Sequence, residues 1–321
     1  SRNIRQMVFY LKYFILIREL LKDSLNDIPE YLDEIIFYLG KNYDFFWGSL
    51  KQNLLFNGNN NSSNKDFDKY LALFRYKFKN DKFDTSGYTV FKKKNVILAM
   101  DTGSNPGKNY SENYQSGPLS FEFFFNDNKL ITNSGYFQDH SHQLNRISKS
   151  TATHSTLILD NSSVCDFKKK NNGPSIVSKG FKTFDKQIIN EKNFWSITCS
   201  HDGYLSKYGL IHQRNLEYNI EKNVLYGKEK LIKKKNFKVT NFELRFHLLP
   251  NIKVTKLQDN KSILIELDNS GWKFSSEDGM IGLETGLYFG NKNSYTENQN
   301  IFISGVTQKE DQLIEWKISK I

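Results

Sequence analysis

Cysteine is nearly absent: Cys165 and Cys199 are the two in 321 residues, and neither sits in a CxxC pair. Two cysteines cannot build a disulfide framework, and they say nothing about compartment. Proline occurs 5 times and no long Gly, Ser or Pro tract is present, which excludes collagen-like and mucin-like chains. Long hydrophobic runs are missing as well. The longest, Val8 to Ile17, is interrupted by Lys12 and followed by Arg18 and Glu19, well short of the roughly 20 residues a membrane-spanning helix needs. The chain starts at Ser1 without an initiator Met, a basic n-region or a small-residue cleavage site. Any signal peptide or upstream domain therefore lies outside this segment.

What is present describes a folded protein. Hydrophobic residues make up 38%, aromatics 15% and charged residues 25%, enough apolar material to bury a core and too little charge for disorder. Net charge is +10. Alanine occurs three times while Lys, Asn, Ile and Phe abound, the pattern that A/T-rich codons produce, so part of the lysine excess reflects codon bias. The basic runs Lys92 to Lys94, Lys168 to Lys170 and Lys233 to Lys235 sit beside Asn or Gly and read as solvated turns, with a surface for an acidic ligand as the alternative. No RNP-like strand, zinc knuckle or recognition helix accompanies them, so nucleic acid is not an expected partner.

Two regimes of periodicity divide the chain. Ile4, Met7, Val8, Leu11, Phe14, Ile15 and Ile17 recur at helical spacing, predicting a helix over 3–22 that is covered on more than one side. A turn follows near Asn26. Asp27 and Glu30 have capping-box spacing with Pro29 in the first turn, and Tyr31, Leu32, Ile35, Ile36 and Leu39 continue as a helix over 28–46. Phe67, Tyr70, Leu71 and Phe74 predict a third helix over 66–76. From about Thr85 the period becomes two, with short apolar runs such as Val96 to Met100, Leu119 to Phe125 and Ile301 to Ser304 separated by turn residues. Many short strands without intervening helices predict an antiparallel sandwich. No internal repeat is visible.

Six histidines are the clearest chemical candidates. His140 and His142 form an HxH pair that would share a face on a strand, as metal ligands do, but Asp139 and Ser141 favour a solvated loop. His154 lies inside Ser150-Thr-Ala-Thr-His-Ser-Thr-Leu157, a polar segment entering an apolar strand. It could meet a ligand or simply bond neighbouring backbone.

The succession Asp101-Thr-Gly, Gly117-Pro-Leu-Ser-Phe-Glu122, Leu130-Ile-Thr-Asn-Ser-Gly135, and Arg146 with Ser150 to Leu157 resembles the β-sandwich of the heparinase II/III-like polysaccharide lyases in order and spacing. Ser1-Arg-Asn, Phe56-Asn-Gly58, Ser86-Gly-Tyr88, His201-Asp-Gly-Tyr204, His212-Gln-Arg214 and Arg245-Phe-His-Leu248 extend the likeness over nearly the whole chain. The resemblance implies an α+β multidomain architecture: residues 1–82 as the last helices of an (α/α) toroid and residues 83–321 as a large antiparallel β-sandwich. It implies export to the periplasm or cell envelope, an acidic polysaccharide as partner, and cleavage by β-elimination. In that chemistry a base removes the proton α to a uronate carboxylate, a polar group neutralises the carboxylate and an acid protonates the leaving oxygen.

In such lyases an Asn or His and a Tyr come from the upstream toroid, which this segment does not include. The sandwich contributes an HxH pair, an Asp and the His of the Thr-His-Ser segment to a metal site. On this sequence those positions are Asn113, Gln115, Asn133 and His154, a poor zinc donor set. No cofactor is expected, and Asn113, Gln115 and Asn133 become candidates for binding sugar hydroxyls or a carboxylate. His154, Tyr136, Arg146 and His201 are the candidate catalytic residues, Arg146 because guanidinium matches a carboxylate in bidentate fashion, with an ordinary surface salt bridge as the alternative. A non-catalytic polysaccharide-binding or cell-envelope protein is the competing function.

Overall fold

The computed structural model describes residues 2–48, 52–93, 95–169, 173–291 and 293–321. Ser1, Lys94 and Lys170, parts of motifs named above, lie outside the described residues. Three helices open the chain: α1 (Ile4–Asp23), α2 (Glu30–Trp47) and α3 (Lys65–Leu73). Asn3 caps α1 by accepting from Gln6 N–H at 3.1 Å. Leu25 after α1 and Arg75 after α3 adopt left-handed φ of 56° and 61°. Asn26 N–H then reaches Leu21 O and Tyr76 N–H reaches Leu71 O, both at 2.9 Å, the closing bonds of Schellman caps. That cap ends α3 three residues before the position its periodicity predicts. The capping box expected at Asp27 does not form. Pro29 holds the cap position with φ −62° and ψ 133° and no side-chain bond, because a residue before proline is driven from helical geometry and α2 cannot start earlier.

The rest is strand and turn. In chain order the strands are β1 (Asp84–Thr85), β2 (Tyr88–Lys93), β3 (Val96–Asp101), β4 (Phe121–Phe125), β5 (Asn128–Ile131), β6 (Leu157–Leu159), β7 (Asp166–Lys169), β8 (Ser175–Lys179), β9 (Thr183–Asn190) and β10 (Phe194–His201). They continue as β11 (Leu210–Asn219), β12 (Val224–Lys233), β13 (Asn241–His247), β14 (Lys253–Lys256), β15 (Ser262–Leu267), β16 (Ser270–Ser276), β17 (Met280–Tyr288), β18 (Thr296–Val306) and β19 (Gln312–Lys320). Two short helices, α4 (Gln143–Ser148) and α5 (Leu205–Tyr208), interrupt them. The first five strands form a meander, an eight-stranded sheet runs β14-β15-β16-β19-β12-β11-β10-β9, and a four-stranded sheet runs β17-β18-β13-β6. The pairings between these strands are antiparallel, so the fold is mostly β with large antiparallel sheets.

Strand β4 shows how the helices and sheets join. Phe121, Phe123 and Phe125 point into the core shared by the sheets, beside Trp272, Phe246 and Trp316. Phe124 points the other way, into a second core with Ile15, Ile36, Phe46 and Tyr88. A strand buried on both faces reads as an unbroken apolar run, which is why Phe-Glu-Phe-Phe-Phe contains a single polar residue. That residue, Glu122, is fully buried and accepts from Leu55 N–H, Thr132 Oγ1 and Asn133 N–H while pairing with Lys129 at 3.0 Å. The bond to Leu55 ties the loop between α2 and α3 to the meander.

Two expectations need correction. The second apolar side of α1 is not covered by the described residues: Phe9 and Leu20 are each 57% exposed, and Tyr13 and Ile17 lie open beside them. Lys92 is not a solvated turn residue. Its ammonium is drawn into the interior, where it donates to Phe45 O at 2.7 Å and Gly48 O at 2.9 Å at the end of α2, and burial lowers it to about 8. A cation at a helix C-terminus meets carbonyls that have no partner in the helix. Lys168, Lys169 and Lys233 to Lys235 are exposed, but Lys168 and Lys169 lie in β7 and Lys233 ends β12, so of these only Lys234 and Lys235 lie outside the strands.

Candidate functional site

An open hollow of about 480 Å³ lies where the first turns of α1 face the loop after β5. Its walls carry Arg5 and Phe9 from α1, Asn113, and Tyr136, Gln138 and His140 from the loop. Gly135 shapes that loop: at φ +85° its backbone bridges Phe289, and an added Cβ would lie 2.8 Å from Gly290 N. Only glycine tolerates both the left-handed turn and the contact. Tyr136 follows directly, with its ring buried and its hydroxyl donating to Asn113 Oδ1 at 3.1 Å and accepting from Asn145 Nδ2 at 3.0 Å. Burial pushes its phenol up to about 12, so it carries its proton at neutral pH.

Arg5 donates through Nε to Asn59 Oδ1 at 3.1 Å and through Nη2 to Ser62 O at 2.9 Å, which leaves Nη1 for the hollow. His140 is the titratable nitrogen there. Partial desolvation, then nearby Lys149, hold it below the usual imidazole range, while Asn145, Glu112 and Asp139 oppose them. Together these groups offer one fixed cation, one switchable cation, an amide and a hydroxyl, which is a match for a carboxylate on a hydroxylated ligand.

The residues named from sequence scatter around this hollow. Asn113 and Tyr136 line it. Gln115 is fully buried behind it: its amide donates to Gly135 O at 2.8 Å and Ser148 O at 2.6 Å, and its oxygen accepts from Gly58 N–H at 3.0 Å. Asn133 accepts from Ser155 N–H at 3.0 Å and is likewise buried. His154 packs its ring on Gly117, where an added Cβ would come within 2.4 Å, and its Nδ1 bonds Ser150 O at 2.9 Å. Burial lowers it to about 4, so its imidazole is neutral. His201 sits in the sheet interior, joined to His212 at 3.2 Å, which in turn donates to Glu229 at 2.6 Å. His212 stays neutral despite that contact, since burial disfavours its cation and Arg214 at 2.8 Å already balances Glu229. Arg146 is exposed and forms no ion pair among the described residues, and it faces a different hollow.

These positions do not fit zinc. Gln115 and Asn133 spend their side-chain oxygens on backbone N–H groups, and neutral amides are poor zinc donors beside one imidazole. Among the described residues no three His, Cys, Asp or Glu side chains lie together as a metal cluster. His140 and His142 form no pair either. Both are exposed, and His142 Nδ1 accepts from Leu144 N–H at 3.1 Å as the cap of α4.

Sequence reasoning missed Arg5 and passed over His140 as a cleft residue, since nothing near either in the chain marks them. Other weak motifs do converge. Arg2 donates to Asp101 Oδ1 at 2.5 Å, to Gly87 O at 2.9 Å and to Gly103 O at 3.0 Å, while Asn57 bonds Asp101 at 3.0 Å and Tyr88 at 2.6 Å. One cluster thus holds the start of α1, and with it Arg5, against the meander.

The family described as "Heparinase II/III-like, C-terminal" matches residues 77–317. FtsZ-localized protein C of Caulobacter vibrioides (strain NA1000 / CB15N) is 25% identical over 251 residues, covering 73% of this chain and 42% of that protein. Among solved structures, heparan sulfate lyase HepC from Pedobacter heparinus matches 99% of this chain and 52% of its own with a TM-score of 0.78 at 14% identity. A heparinase III structure matches 99% and 53%, with a TM-score of 0.75 at 14% identity. At that identity the likeness is one of fold. The chain spans about half the length of the relatives it matches. With the sheet order, the motif succession and a match running from residue 77 to residue 317, the chain belongs to the heparinase II/III-like family and carries its C-terminal fold.

Proposed function

We propose that this chain is the sugar-facing C-terminal part of a heparinase II/III-like polysaccharide lyase and binds a uronate-bearing acidic polysaccharide in the hollow between α1 and the sandwich. The observation that carries this reading is that Arg5, His140, Asn113 and Tyr136 line one hollow, with the Tyr136 hydroxyl bonded to Asn113. Arg5 and His140 hold the carboxylate, and Asn113 and Tyr136 address neighbouring oxygens. Residues 1–82 act as the closing helices of an (α/α) toroid, a role supported by the open apolar side of α1, and residues 83–321 as the sandwich domain. The setting is the periplasm or cell envelope.

Elimination needs a base at the α-proton and an acid at the leaving oxygen. Tyr136 holds its proton too firmly to serve as base, His154 and His201 are buried away from the hollow, and His140 alone can titrate there. This segment alone binds without cleaving. A second reading, a non-catalytic polysaccharide-binding protein, is favoured by the engagement of Gln115 and Asn133 with backbone. Titration with uronate polymers, paired with ultraviolet detection of unsaturated uronate, tests both. Binding without product from the segment and product from a longer parent chain supports the lyase, binding with silence from both supports the second reading, and no binding refutes the two together.

A further inference from the structure

We propose that the open hollow on the far side of α4 is a second acidic-sugar subsite, so that one oligosaccharide runs from the Tyr136 cleft across α4. This inference rests on the polysaccharide function proposed above. Helix α4 presents Asn145 on one face, where it bonds Tyr136 OH and Phe137 O. Gln143, Arg146 and Ile147 fall on the opposite face by their spacing of three and four, and they line a hollow of about 630 Å³ closed by Ser163, Asp166 and Phe167. Helix α4 thus borders both depressions, bonded through Asn145 to Tyr136 of the first and lining the second with Gln143, Arg146 and Ile147.

The chemistry of this second hollow suits an acidic sugar. A pyranose ring has apolar C–H faces and a rim of hydroxyls. Ile147, 42% exposed, and half-buried Phe167 supply the apolar wall. Gln143 and Ser163 exchange hydrogen bonds with hydroxyls, and Asp166 accepts from them. Arg146 has no ion pair among the described residues, so its guanidinium is free for a carboxylate or sulfate. An exposed arginine alone would be no site. Its convergence with an apolar wall and hydroxyl-directed groups in one concavity distinguishes it.

Calorimetric titration with size-defined heparan sulfate and oligomannuronate probes, a disaccharide and a hexasaccharide of each, tests the inference on the full chain. Arg146→Gln should weaken hexasaccharide binding about tenfold, roughly one charge-assisted pair, and leave the disaccharide unchanged, with Arg146→Lys intermediate. Arg5→Gln should weaken both lengths. If Arg146→Gln matches the unmodified chain on the hexasaccharide while Arg5→Gln loses both, the second subsite is refuted and the cleft stands. Equal losses at both lengths would place Arg146 in the first subsite and also refute the proposal. No binding by the unmodified chain at either length overturns the cleft and the subsite alike.

Discussion

Acidification should destabilise this protein well before its carboxylates titrate, through histidines buried in neutral form. His154 is held at about 4 and His247 at about 3, in both cases chiefly by burial. In the unfolded chain each returns to about 6.5. A folded value depressed below the unfolded one means that protons bind the unfolded state preferentially. The stability these histidines contribute is therefore complete above about pH 6.5 and is lost as pH falls toward the folded values. Integrating the linkage from about pH 8 to pH 5 gives about 2 kcal/mol for each residue, about 4 kcal/mol together. His201 and His212 are shifted in the same direction by the same cause and deepen the loss. Asp101, raised by burial, acts in the opposite sense near the carboxylate range. Losses of this size are a large fraction of a typical folding free energy. Urea unfolding followed by the fluorescence of buried Trp195, Trp272 and Trp316 at several pH values measures the effect. His247→Gln keeps a donor and an acceptor for Ala152 O and Ser134 Oγ but cannot titrate, so its pH dependence should be shallower by about 2 kcal/mol. A urea midpoint that stays constant from about pH 8 to pH 5, or an equal pH slope in the variant, would refute the reasoning.

Other expectations concern the cleft and the core. His140 adds a second cation only when protonated, and burial lowers it from the ordinary value of about 6.5, so affinity for uronate polymers should rise as pH falls below about 6.5; His140→Gln should abolish that rise, and an unchanged pH profile would remove His140 from the site. Lys129→Met leaves the Glu122 carboxylate buried without its cation and should cost about 3–5 kcal/mol in urea unfolding, whereas a change under about 1 kcal/mol would show that the three hydrogen bonds to Glu122 suffice. Elemental analysis of protein purified without chelator should find no tightly bound zinc, and a stoichiometric signal lost in His154→Ala would overturn the donor argument. Binding to acidic polymer should weaken as salt rises, because a few partly exposed cations carry it; salt-independent binding would point to another surface.

The switch of apolar period near Thr85 was sufficient to separate helices from strands, because burial on one face repeats at 3.6 residues in one and at two in the other. Local chemistry also fixed the helix ends, though Pro29 overrode the capping box that Asp27 and Glu30 suggested. The motif succession carried the family. Its scattered fragments Arg2, Asn57, Gly87 and Asp101 proved to be one hydrogen-bonded cluster. Roles within the site were not legible in the same way. Gln115, Asn133 and Asn113 look alike in sequence, yet Gln115 is consumed by backbone N–H and C=O groups, the oxygen of buried Asn133 is taken by Ser155 N–H, and of the three only Asn113 lines the cleft. A buried amide must satisfy its hydrogen bonds internally, and which partners reach it depends on loops far away in the chain, as Gly58 does for Gln115. Arg5 and His140 are separated in the chain by the helices and the whole meander and line one hollow because Arg2 clamps the start of α1 to the turn before β2 and the end of β3. Spacing along a chain encodes faces of helices and strands, whereas contacts across such distances are set by how those faces pack.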